Sequence, residues 1–196
     1  MTALPMTSHA DYVGSRGPWH FTRQTSIPEH VVEDFYALYR LAFNPLKKLS
    51  AARQVLSEAE FHEQMIDARV DKYVAWDGAG EPVGLSTLTR ALSAVPWISP
   101  EYFAERFPEH WARNAVYYLG FTLTHPSQRH QRFLETIVRI GMDQAITDRA
   151  VIAYDVCAYN SGLIRFDERL TALLASIPGA RVERLDAQYY SCMMWS

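Results

Sequence analysis

The stretch VYYLGFTLTHPSQRHQRFLETIVRIGMDQA, residues 116–145, decides the fold prediction for this chain. Its first part, Val116–Thr124, is the most apolar of the predicted strands. The pair His125-Pro126 ends that strand, because proline has no N–H to give to a sheet. Apolar residues then recur at helical spacing from Phe133 to Ala145. The stretch therefore predicts a buried strand, a polar loop and a helix in succession.

The segments on either side extend this pattern into a mixed α/β (α+β) fold. Val151–Tyr159 is a near-continuous apolar run, which is typical of a strand buried on both faces. The order of elements predicts a sheet of about seven strands flanked by helices. Further strands are predicted at Trp19–Thr25, Asp71–Trp76, Glu81–Arg90, Arg181–Leu185 and Gln188–Trp195, and further helices after Pro28, from the capping box Ser57–Glu60 and over Leu163–Ile177.

A chain of 196 residues has the length of one domain. Residues 1–17 are mostly small or polar and predict a flexible N-terminal leader, and residues 18–196 are predicted to form the single domain. Within it, residues 91–113 are an insert rich in aromatic residues and proline. These aromatic residues predict packing on one end of the sheet. An apolar wall for a substrate and a dimer contact are the alternatives.

Composition excludes several classes of function. The net charge of −3 argues against a nucleic-acid-binding protein, which needs a basic face. No apolar run has the length of a membrane span, so no membrane contact is predicted. The two cysteines, Cys157 and Cys192, and the lack of a secretory signal predict a cytoplasmic protein with buried, reduced thiols. The seven histidines show no metal-ligand spacing, and no metal is predicted.

The loop after the 116–124 strand carries a family resemblance. It reads LTHPSQRHQRFL over residues 123–134, with Pro126 and Arg129 at two motif positions, and Asn160 follows the next predicted strand. In these residues, and in the order of its elements over about 19–195, the chain resembles the GNAT acyltransferase superfamily. The resemblance implies a GNAT-like, mostly antiparallel sheet. It also implies transfer of an acyl group from an acyl-CoA thioester to an amine or similar nucleophile.

The resemblance assigns cofactor binding to the loop and to the start of the next helix. A helix N-terminus offers unpaired N–H groups and a partial positive charge, and both suit a pyrophosphate. Amides at the end of the preceding strand can polarise a thioester carbonyl. The residues predicted to contact acyl-CoA are Leu123, Thr124, Arg129, His130, Gln131, Arg132, Phe133, Leu134 and Asn160.

The same loop departs from the family pattern in its glycines. Counted from Arg129, the two family glycines would stand at Arg132 and Leu134, and no glycine lies between residues 121 and 140. The positions that often hold an acidic base are Gly120 and Phe121. If acyl-CoA binds, the cationic side chains of the loop are expected to supply phosphate contacts that the family draws from glycine backbone.

Three residues are candidates for moving protons: Tyr118, Asp155 and Tyr159. Tyr117 and Tyr118 are neighbours on the predicted central strand, so one of them must point to each face. Asp155 is the only carboxylate within Val151–Cys157, and a buried carboxylate needs a partner or a task. A structural ion pair is the alternative for Asp155, and core packing is the alternative for Tyr117 and Tyr118.

Two other functions fit the same residues. One is a GNAT-shaped protein that binds a ligand or partner without catalysis, because the family glycines and base are absent. The other is an acyltransferase that takes its thioester from an acyl carrier protein, whose pantetheine arm would still meet Asn160. The predicted partners are therefore a small-molecule acyl acceptor and, in the alternatives, an acyl carrier protein or a second copy of the chain.

Overall fold

A computed structural model describes residues 10–125, 133–165, 168–169, 171–172, 179–188 and 190–194. The described part contains six strands and seven α-helices, with a short 3₁₀ turn at Leu92–Ala94. In chain order the elements are β1 Ala10–Arg16, β2 Trp19–Gln24, α1 Glu29–Phe43, α2 Leu46–Leu49, α3 Glu58–Ile66, β3 Val70–Trp76, β4 Pro82–Thr89, α4 Pro100–Arg106, α5 Pro108–Ala112, β5 Val116–Thr124, α6 Phe133–Thr147, β6 Val151–Ala153 and α7 Ala158–Ile164.

The six strands form one sheet in the order β1-β2-β3-β4-β5-β6. All neighbours pair antiparallel except β5 and β6, which pair parallel. The parallel pair requires a crossover connection, and α6 supplies it. The predicted mixed, mostly antiparallel sheet flanked by helices is confirmed, with six described strands in place of about seven.

Local signals in the sequence form several elements as predicted. Ser57 Oγ accepts a hydrogen bond from Glu60 N at 3.3 Å, and Ser57 N donates to Glu60 Oε2 at 2.7 Å, so the predicted capping box begins α3. Ser99 likewise caps α4 ahead of Pro100. Between β3 and β4, Gly80 N donates to Asp77 O at 3.1 Å and closes the predicted turn.

Three clusters of buried apolar side chains hold the layers together. The α6 core joins one sheet face to α6, the α1 core joins the other face to α1 and α3, and the insert core lies under residues 91–113. Their main members are Trp19, Phe21, Tyr73, Val83, Leu88, Tyr117, Leu119, Phe133, Ile137 and Val138 in the α6 core; Val32, Phe35, Tyr39, Phe61, Met65, Val74, Trp76, Leu85 and Leu123 in the α1 core; and Leu92, Val95, Phe103, Val116, Tyr118 and Ala153 in the insert core.

The insert divides between core and surface. Phe103 is buried and Phe107 is partly buried, as expected for packing on one end of the sheet. Trp97, Tyr102 and Trp111 keep between 42% and 50% of their area exposed. The predicted packing therefore describes only part of the insert, and its exposed aromatic residues remain available to a ligand or partner.

Lys72 fixes the position of α3 relative to the sheet. Its Nζ, on β3, donates to Thr25 O at 2.9 Å and to Asp67 O at 2.6 Å, just beyond the ends of β2 and α3. The residue is fully buried, and burial lowers the pKa of its ammonium to about 8. Because a buried ammonium needs its hydrogen-bond partners, these two carbonyl contacts tie the end of α3 to β3 and to the end of β2.

The leader prediction is wrong for residues 10–16. Ala10–Arg16 forms strand β1, which pairs with β2 from Ala10↔Gln24 to Arg16↔Trp19 around Gly17. The strand lies at the sheet edge and most of its residues are exposed. It therefore lacks the apolar alternation that marks a half-buried strand. Residues 1–9 lie outside the described part of the chain.

The prediction for the second half of the chain is wrong in two places. β6 ends at Ala153, so the strand predicted over Val151–Tyr159 has three residues, and Cys157 caps a helix, α7. The predicted hairpin from 181 to 195 contains no strand among its described residues. Val182 instead packs against the α6 core and Leu185 against the insert core, so these apolar side chains are partly buried although no strand forms.

The helix predicted over Leu163–Ile177 is only partly described. α7 ends at Ile164, ahead of a left-handed residue, Arg165 with φ 50°. The described residues 168, 169, 171 and 172 are helical, and 173–178 lie outside the described residues. Both cysteines are free thiols. Cys157 is partly buried and Cys192 is exposed, so the predicted burial is wrong for Cys192.

Gly84 allows α6 to approach the sheet closely, and its substitution is the first test of this fold. A Cβ at Gly84 would lie 2.5 and 2.7 Å from two ring carbons of Phe133, the first described residue of α6. Phe133 is buried and packs edge-on against Trp19, so it has little room to move. We expect Gly84→Ala to lower the free energy of unfolding by about 1–3 kcal/mol.

The matched control is Gly78→Ala in the β3–β4 turn, where an added Cβ meets no atom within 4 Å. Its expected effect is within about 0.5 kcal/mol. Urea unfolding followed by circular dichroism measures both variants. Equal midpoints for the two would contradict the close approach of α6 to β4.

Candidate active site

The parallel strands β5 and β6 separate after only three residue pairs. Val116, Tyr117 and Tyr118 pair with Val151, Ile152 and Ala153, and no later pair is formed between the two strands. β5 continues for six residues beyond Tyr118, to Thr124. Along those residues, its edge opposite β4 has no strand partner in the described part of the chain. We call the stretch beside Leu119–Thr124, where β6 no longer pairs with β5, the opening.

The backbone of β5 presents donors to this opening. His125 N donates to Val83 O at 2.9 Å, so its N–H faces β4. Successive N–H groups of an extended strand point to opposite edges, and the amides of Thr122 and Thr124 therefore face the opening. The amide of Leu123 faces β4, and its side chain is buried in the α1 core. Of the two predicted strand-end residues, Thr124 has the amide direction that a bound carbonyl needs.

A bulge in β5 lies next to the opening. Ser86 pairs with Thr122 and Leu88 with Leu119, so β5 has one residue more than β4 between these pairs. A Cβ at Gly120 would lie 2.4 Å from Thr87 Oγ1, and the absence of a side chain there lets the two strands meet. The bulge increases the local bend of β5 where it leaves β6.

A hydrogen bond joins two of the predicted catalytic residues, Tyr118 and Asp155. The Tyr118 hydroxyl donates a hydrogen bond to Asp155 Oδ1 and accepts one from Trp97 Nε1 at 2.9 Å. Asp155 lies two residues beyond Ala153 and is exposed, whereas the sequence predicts it within a buried strand. A short β6 thus places the carboxylate at the mouth of the opening, where Tyr118 holds it.

The environment of Tyr118 decides its chemical role. The ring is 2% exposed, and burial, followed by the negative charge of Asp155, raises the pKa of the phenol far above its ordinary value. The phenol therefore stays neutral and donates a hydrogen bond to the carboxylate. In the structure Tyr118 positions Asp155, and the roles of Tyr118, Asp155 and Tyr159 in moving protons stay predictions.

A small cleft, with room for about one water molecule, lies against this pair. It opens on the α1 face of the sheet, between α3 and the insert. None of its lining side chains carries a charge. The lining residues are Gln64 of α3, Val70 of β3, Thr87, Leu88 and Thr89 of β4, Val95 and Trp97 of the insert, and Tyr118 and Gly120 of β5. The cleft shares Tyr118 with the carboxylate, and it is too small to hold an acyl acceptor.

An aromatic cluster lies along β5 beyond the cleft. The ring of Phe121 contacts Tyr39, Phe43 and Phe61, with centroids 5.1, 6.1 and 5.7 Å away. Phe121 is itself only partly buried. Cys157, at the start of α7, packs against the same core. This wall gives the neighbourhood of the opening an apolar surface that suits the hydrocarbon part of an acyl group.

The other predicted site residues fall into three groups. Phe133 is 1% exposed in the α6 core, and Leu134 is partly buried against it, so the side chains of both face protein and only their backbone faces the loop. Tyr159 and Asn160 lie in the first turn of α7, where Tyr159 is 39% exposed. Arg129, His130, Gln131 and Arg132 lie outside the described residues.

Two features of the site have no direct signal in the sequence. The bond from Trp97 to Tyr118 joins residues 21 positions apart, through an insert of irregular structure. Gln64 lies on the predicted helix α3, but its presence in the cleft depends on how α3 packs. Only the aromatic richness of the insert and the helical pattern after Ser57 could have indicated either residue.

The predicted absence of a metal stays a prediction. The structure brings Glu33, Glu58 and His62 together, with ligand atoms within 4.8 Å of one another. The two carboxylates are exposed, and His62 Nε2 lies 3.2 Å from Glu33 Oε1, between α1 and α3. This contact accounts for the cluster as a surface link between the two helices.

Comparisons with known proteins agree with the geometry. No protein-family model and no curated protein matches the sequence. Among solved structures, a transcriptional regulator from Bacillus halodurans covers 88% of this chain and 100% of its own, with a TM-score of 0.52 and 16% identity. A GNAT-family acetyltransferase from Listeria monocytogenes covers 79% and 87%, with a TM-score of 0.52 and 13% identity.

An aminoglycoside acetyltransferase from an uncultured soil metagenomic sample, solved in complex with trehalose, covers 90% of this chain and 97% of its own. Its TM-score is 0.50 and its identity is 12%. At these identities the similarity concerns the fold, and the chain has a GNAT-like fold. No described helix is both long and apolar enough to cross a bilayer.

Tyr118 provides the second test. In ¹³C spectra of tyrosine-labelled protein, with the Tyr118 signal assigned from Tyr118→Phe, we expect its ring Cζ to keep the shift of a neutral phenol at pH 11. A tyrosine with the ordinary pKa of about 10 has ionised by then. Asp155→Asn should lower the pKa of Tyr118, because a negative charge no longer opposes ionisation.

The control is Asp34→Asn on the exposed face of α1, which leaves Tyr118 unchanged. Circular dichroism at each pH confirms that the protein stays folded. A Tyr118 signal that titrates near pH 10 in the folded wild type would contradict the bond to Asp155.

Proposed function

We propose that this protein is a GNAT-type acyltransferase that moves an acyl group from an acyl-CoA thioester to an amine or similar nucleophile. One observation carries the proposal: the unpaired edge of β5 lies beside a carboxylate that Tyr118 holds. Exposed amides and a positioned base are the two groups that acyl transfer to an amine requires. The GNAT-like fold, which the chain shares with acetyltransferases, supports the same reaction.

The described residues fit an acyl-CoA. The amides of Thr122 and Thr124 face the opening, where no described strand pairs with β5, and they are the proposed donors to the thioester and its pantetheine arm. The aromatic wall around Phe121 suits the acyl group. Beyond Thr124, the loop 126–132 contains Arg129 and Arg132, whose guanidinium groups suit phosphates. Asn160, on α7, is the proposed partner of the pantetheine arm.

Each site residue has one proposed task. Acyl-CoA is the second substrate: the amine nitrogen attacks its thioester carbonyl, the C–N bond forms as the C–S bond breaks, and CoA leaves as a thiolate that takes the remaining nitrogen proton to become a thiol. The Thr124 amide donates a hydrogen bond to the carbonyl oxygen and stabilises the charge that develops there. Asp155 accepts a proton from the incoming ammonium group, which frees the nitrogen lone pair. Tyr118 orients the carboxylate, and Trp97 orients Tyr118.

The identity of the base explains a departure from the family pattern. The β5 positions that often hold an acidic base are Gly120 and Phe121, and neither has an ionisable group. Asp155 reaches the same region from the end of β6 through its bond to Tyr118. The proposed base thus follows the end of β6, whereas the usual family positions for a base lie on β5.

Acetyl-CoA binding is the first experiment on this proposal. Isothermal titration should give heat with acetyl-CoA and a weaker response with acetyl-pantetheine, which lacks the nucleotide phosphates. We expect Arg129→Ala and Arg132→Ala to weaken acetyl-CoA binding at least several-fold and to leave acetyl-pantetheine binding unchanged. Arg184→Ala, at an exposed arginine of the C-terminal segment, is the matched control.

The outcomes separate the three functions. If an acyl carrier protein thioester gives binding heat and acetyl-CoA does not, the carrier protein replaces acetyl-CoA as the proposed thioester source. No heat with either at millimolar concentration would overturn the acyltransferase proposal and leave a binding protein.

Turnover with an amine tests Asp155. We expect Asp155→Asn to lower kcat by 10²–10⁴-fold, roughly the size of a lost general base, with the Kd for acetyl-CoA unchanged. Tyr118→Phe keeps the carboxylate but loses its orientation, so a loss of about tenfold in kcat is expected. Asp34→Asn is the control for the charge change. Unchanged kcat in Asp155→Asn would remove Asp155 from the reaction.

A further inference from the structure

We propose that an exposed basic surface beside the site docks an acidic polypeptide segment, and that an amine on this segment is the acyl acceptor. The inference rests on the proposed function, because it names the substrate class of the same site. The basic surface consists of the exposed side chains Arg40, Leu41, Lys47, Lys48 and Leu49, at the end of α1 and on α2. The whole chain has a net charge of −3, so this excess of cations is local.

The charges in this part of the chain are all of one sign. Residues 35–57 contain four cationic residues and no Asp or Glu. One of the four, Arg53, has a carboxylate partner on α3. The other three, Arg40, Lys47 and Lys48, form no ion pair with any described residue. Cations that are not neutralised within the protein give this surface a positive potential, which attracts a negatively charged partner.

The backbone places the three cations on one side of a helical path. Asn44 and Pro45, between α1 and α2, both have right-handed helical dihedral angles, and Asn44 N donates to Arg40 O at 3.0 Å. α2 therefore continues in the direction of α1. Residues seven and eight positions apart lie on the same side of such a path, so Lys47 and Lys48 follow Arg40.

Two exposed leucines accompany the cations. Leu41 is 58% exposed and Leu49 is 45% exposed. Leu46 is the residue through which α2 packs into the α1 core, so Leu49 is left at the surface. The helix dipole favours cations at the end of α1, but it gives no reason for exposed leucines. An acidic segment that also carries an apolar side chain is complementary to both kinds of group.

The basic surface borders the proposed site. Phe43, between α1 and α2, contacts Phe121 of β5 with ring centroids 6.1 Å apart. Phe121 lies on the part of β5 that faces the opening. Cys157, two residues after Asp155, packs against the same α1 core. A peptide on the basic surface is thus adjacent to the aromatic wall that separates it from the proposed base.

The dimensions favour a peptide over a lipid surface. Arg40 and Lys48 are eight positions apart, which is about 12 Å along a helix and the length of about four residues of an extended peptide. A helix that lies in a membrane interface needs a long apolar face. α2 has only four residues, and one of its two leucines is buried in the core.

The test measures the binding of a short peptide to the full chain without acetyl-CoA. The acidic probe is Ala-Glu-Leu-Glu-Gly-Glu, with a free amine at its first residue and a fluorescent label at its last, and the neutral probe has Gln in place of each Glu. Fluorescence anisotropy gives the Kd, and turnover of the unlabelled peptides with acetyl-CoA gives the KM. The variants are Lys47→Glu/Lys48→Glu and Lys47→Gln/Lys48→Gln. The matched control is Arg16→Glu/Arg184→Glu, at exposed arginines of β1 and the C-terminal segment.

We expect Lys47→Glu/Lys48→Glu to raise the Kd and the KM for the acidic peptide at least about tenfold, because repulsion replaces attraction at two contacts. Lys47→Gln/Lys48→Gln should raise both about threefold, the size expected for the loss of exposed charge pairs. The control should change neither constant. The neutral peptide should bind at least about tenfold more weakly, and a rise from about 0.05 M to about 0.5 M NaCl should weaken binding of the acidic peptide, because salt screens exposed charges.

Failure of this inference is distinct from failure of the proposed function. Equal Kd values for the two peptides, or an unchanged Kd in Lys47→Glu/Lys48→Glu, would overturn the docking surface, and acetylation of benzylamine would show that the acyltransferase stands. Peptide binding that depends on Lys47 and Lys48, in a protein that binds no acetyl-CoA, would support the docking surface and overturn the acyltransferase.

A membrane is the remaining occupant, and the same variants test it. Vesicles of two parts phosphatidylcholine and one part phosphatidylserine carry negative charge at their surface. If the protein binds these vesicles through Lys47 and Lys48 and does not bind the acidic peptide, the peptide proposal is overturned.

Discussion

The separation of β5 from β6 is the constraint on which the candidate site depends. Three parallel pairs hold the strands together, and after Tyr118↔Ala153 the two backbones part. A buried strand edge normally satisfies its N–H groups in a neighbouring strand, and β5 leaves several of them facing an opening. The bulge at Gly120 bends β5 at the same place. Amides without a strand partner among the described residues, a small cleft and a carboxylate meet there because the sheet is interrupted at that point.

The helices on both faces hold the interrupted sheet in shape. On one face, α6 approaches so closely that Gly84 has no room for a Cβ beneath Phe133, which fixes where the helix begins relative to β5. On the other face, Lys72 ties the end of α3 to the sheet and so constrains the helix that carries Gln64, a residue that lines the cleft. The opening is therefore bounded by elements packed on continuous parts of the sheet.

The sequence predicts this scaffold far better than the site. Strands β2 to β5 and helices α1, α3 and α6 follow from apolar periodicity, the Ser57–Glu60 capping box and the Asp77–Gly80 turn, all of which act over a few residues. β1 is missed because an exposed edge strand has little apolar alternation. The C-terminal segment is wrongly predicted as strands because packed coil can show the same alternation as a strand. Tyr118 and Asp155 are identified separately, but their bond joins two strands and depends on register.

The largest error in the sequence prediction concerns the residues that make the site. A strand over Val151–Tyr159 would continue the pairing with β5, cover the amides of Thr122 and Thr124, and bury Asp155 at a sheet position. The chain instead leaves the sheet after Ala153, and Cys157 begins α7. A strand that ends before its apolar run does loses backbone hydrogen bonds to its neighbour. The hydrogen bond from Tyr118 to Asp155 stabilises the chain where it leaves the sheet. Local sequence favours a strand and the folded protein forms a break, which is the kind of conflict expected where function overrides regular structure.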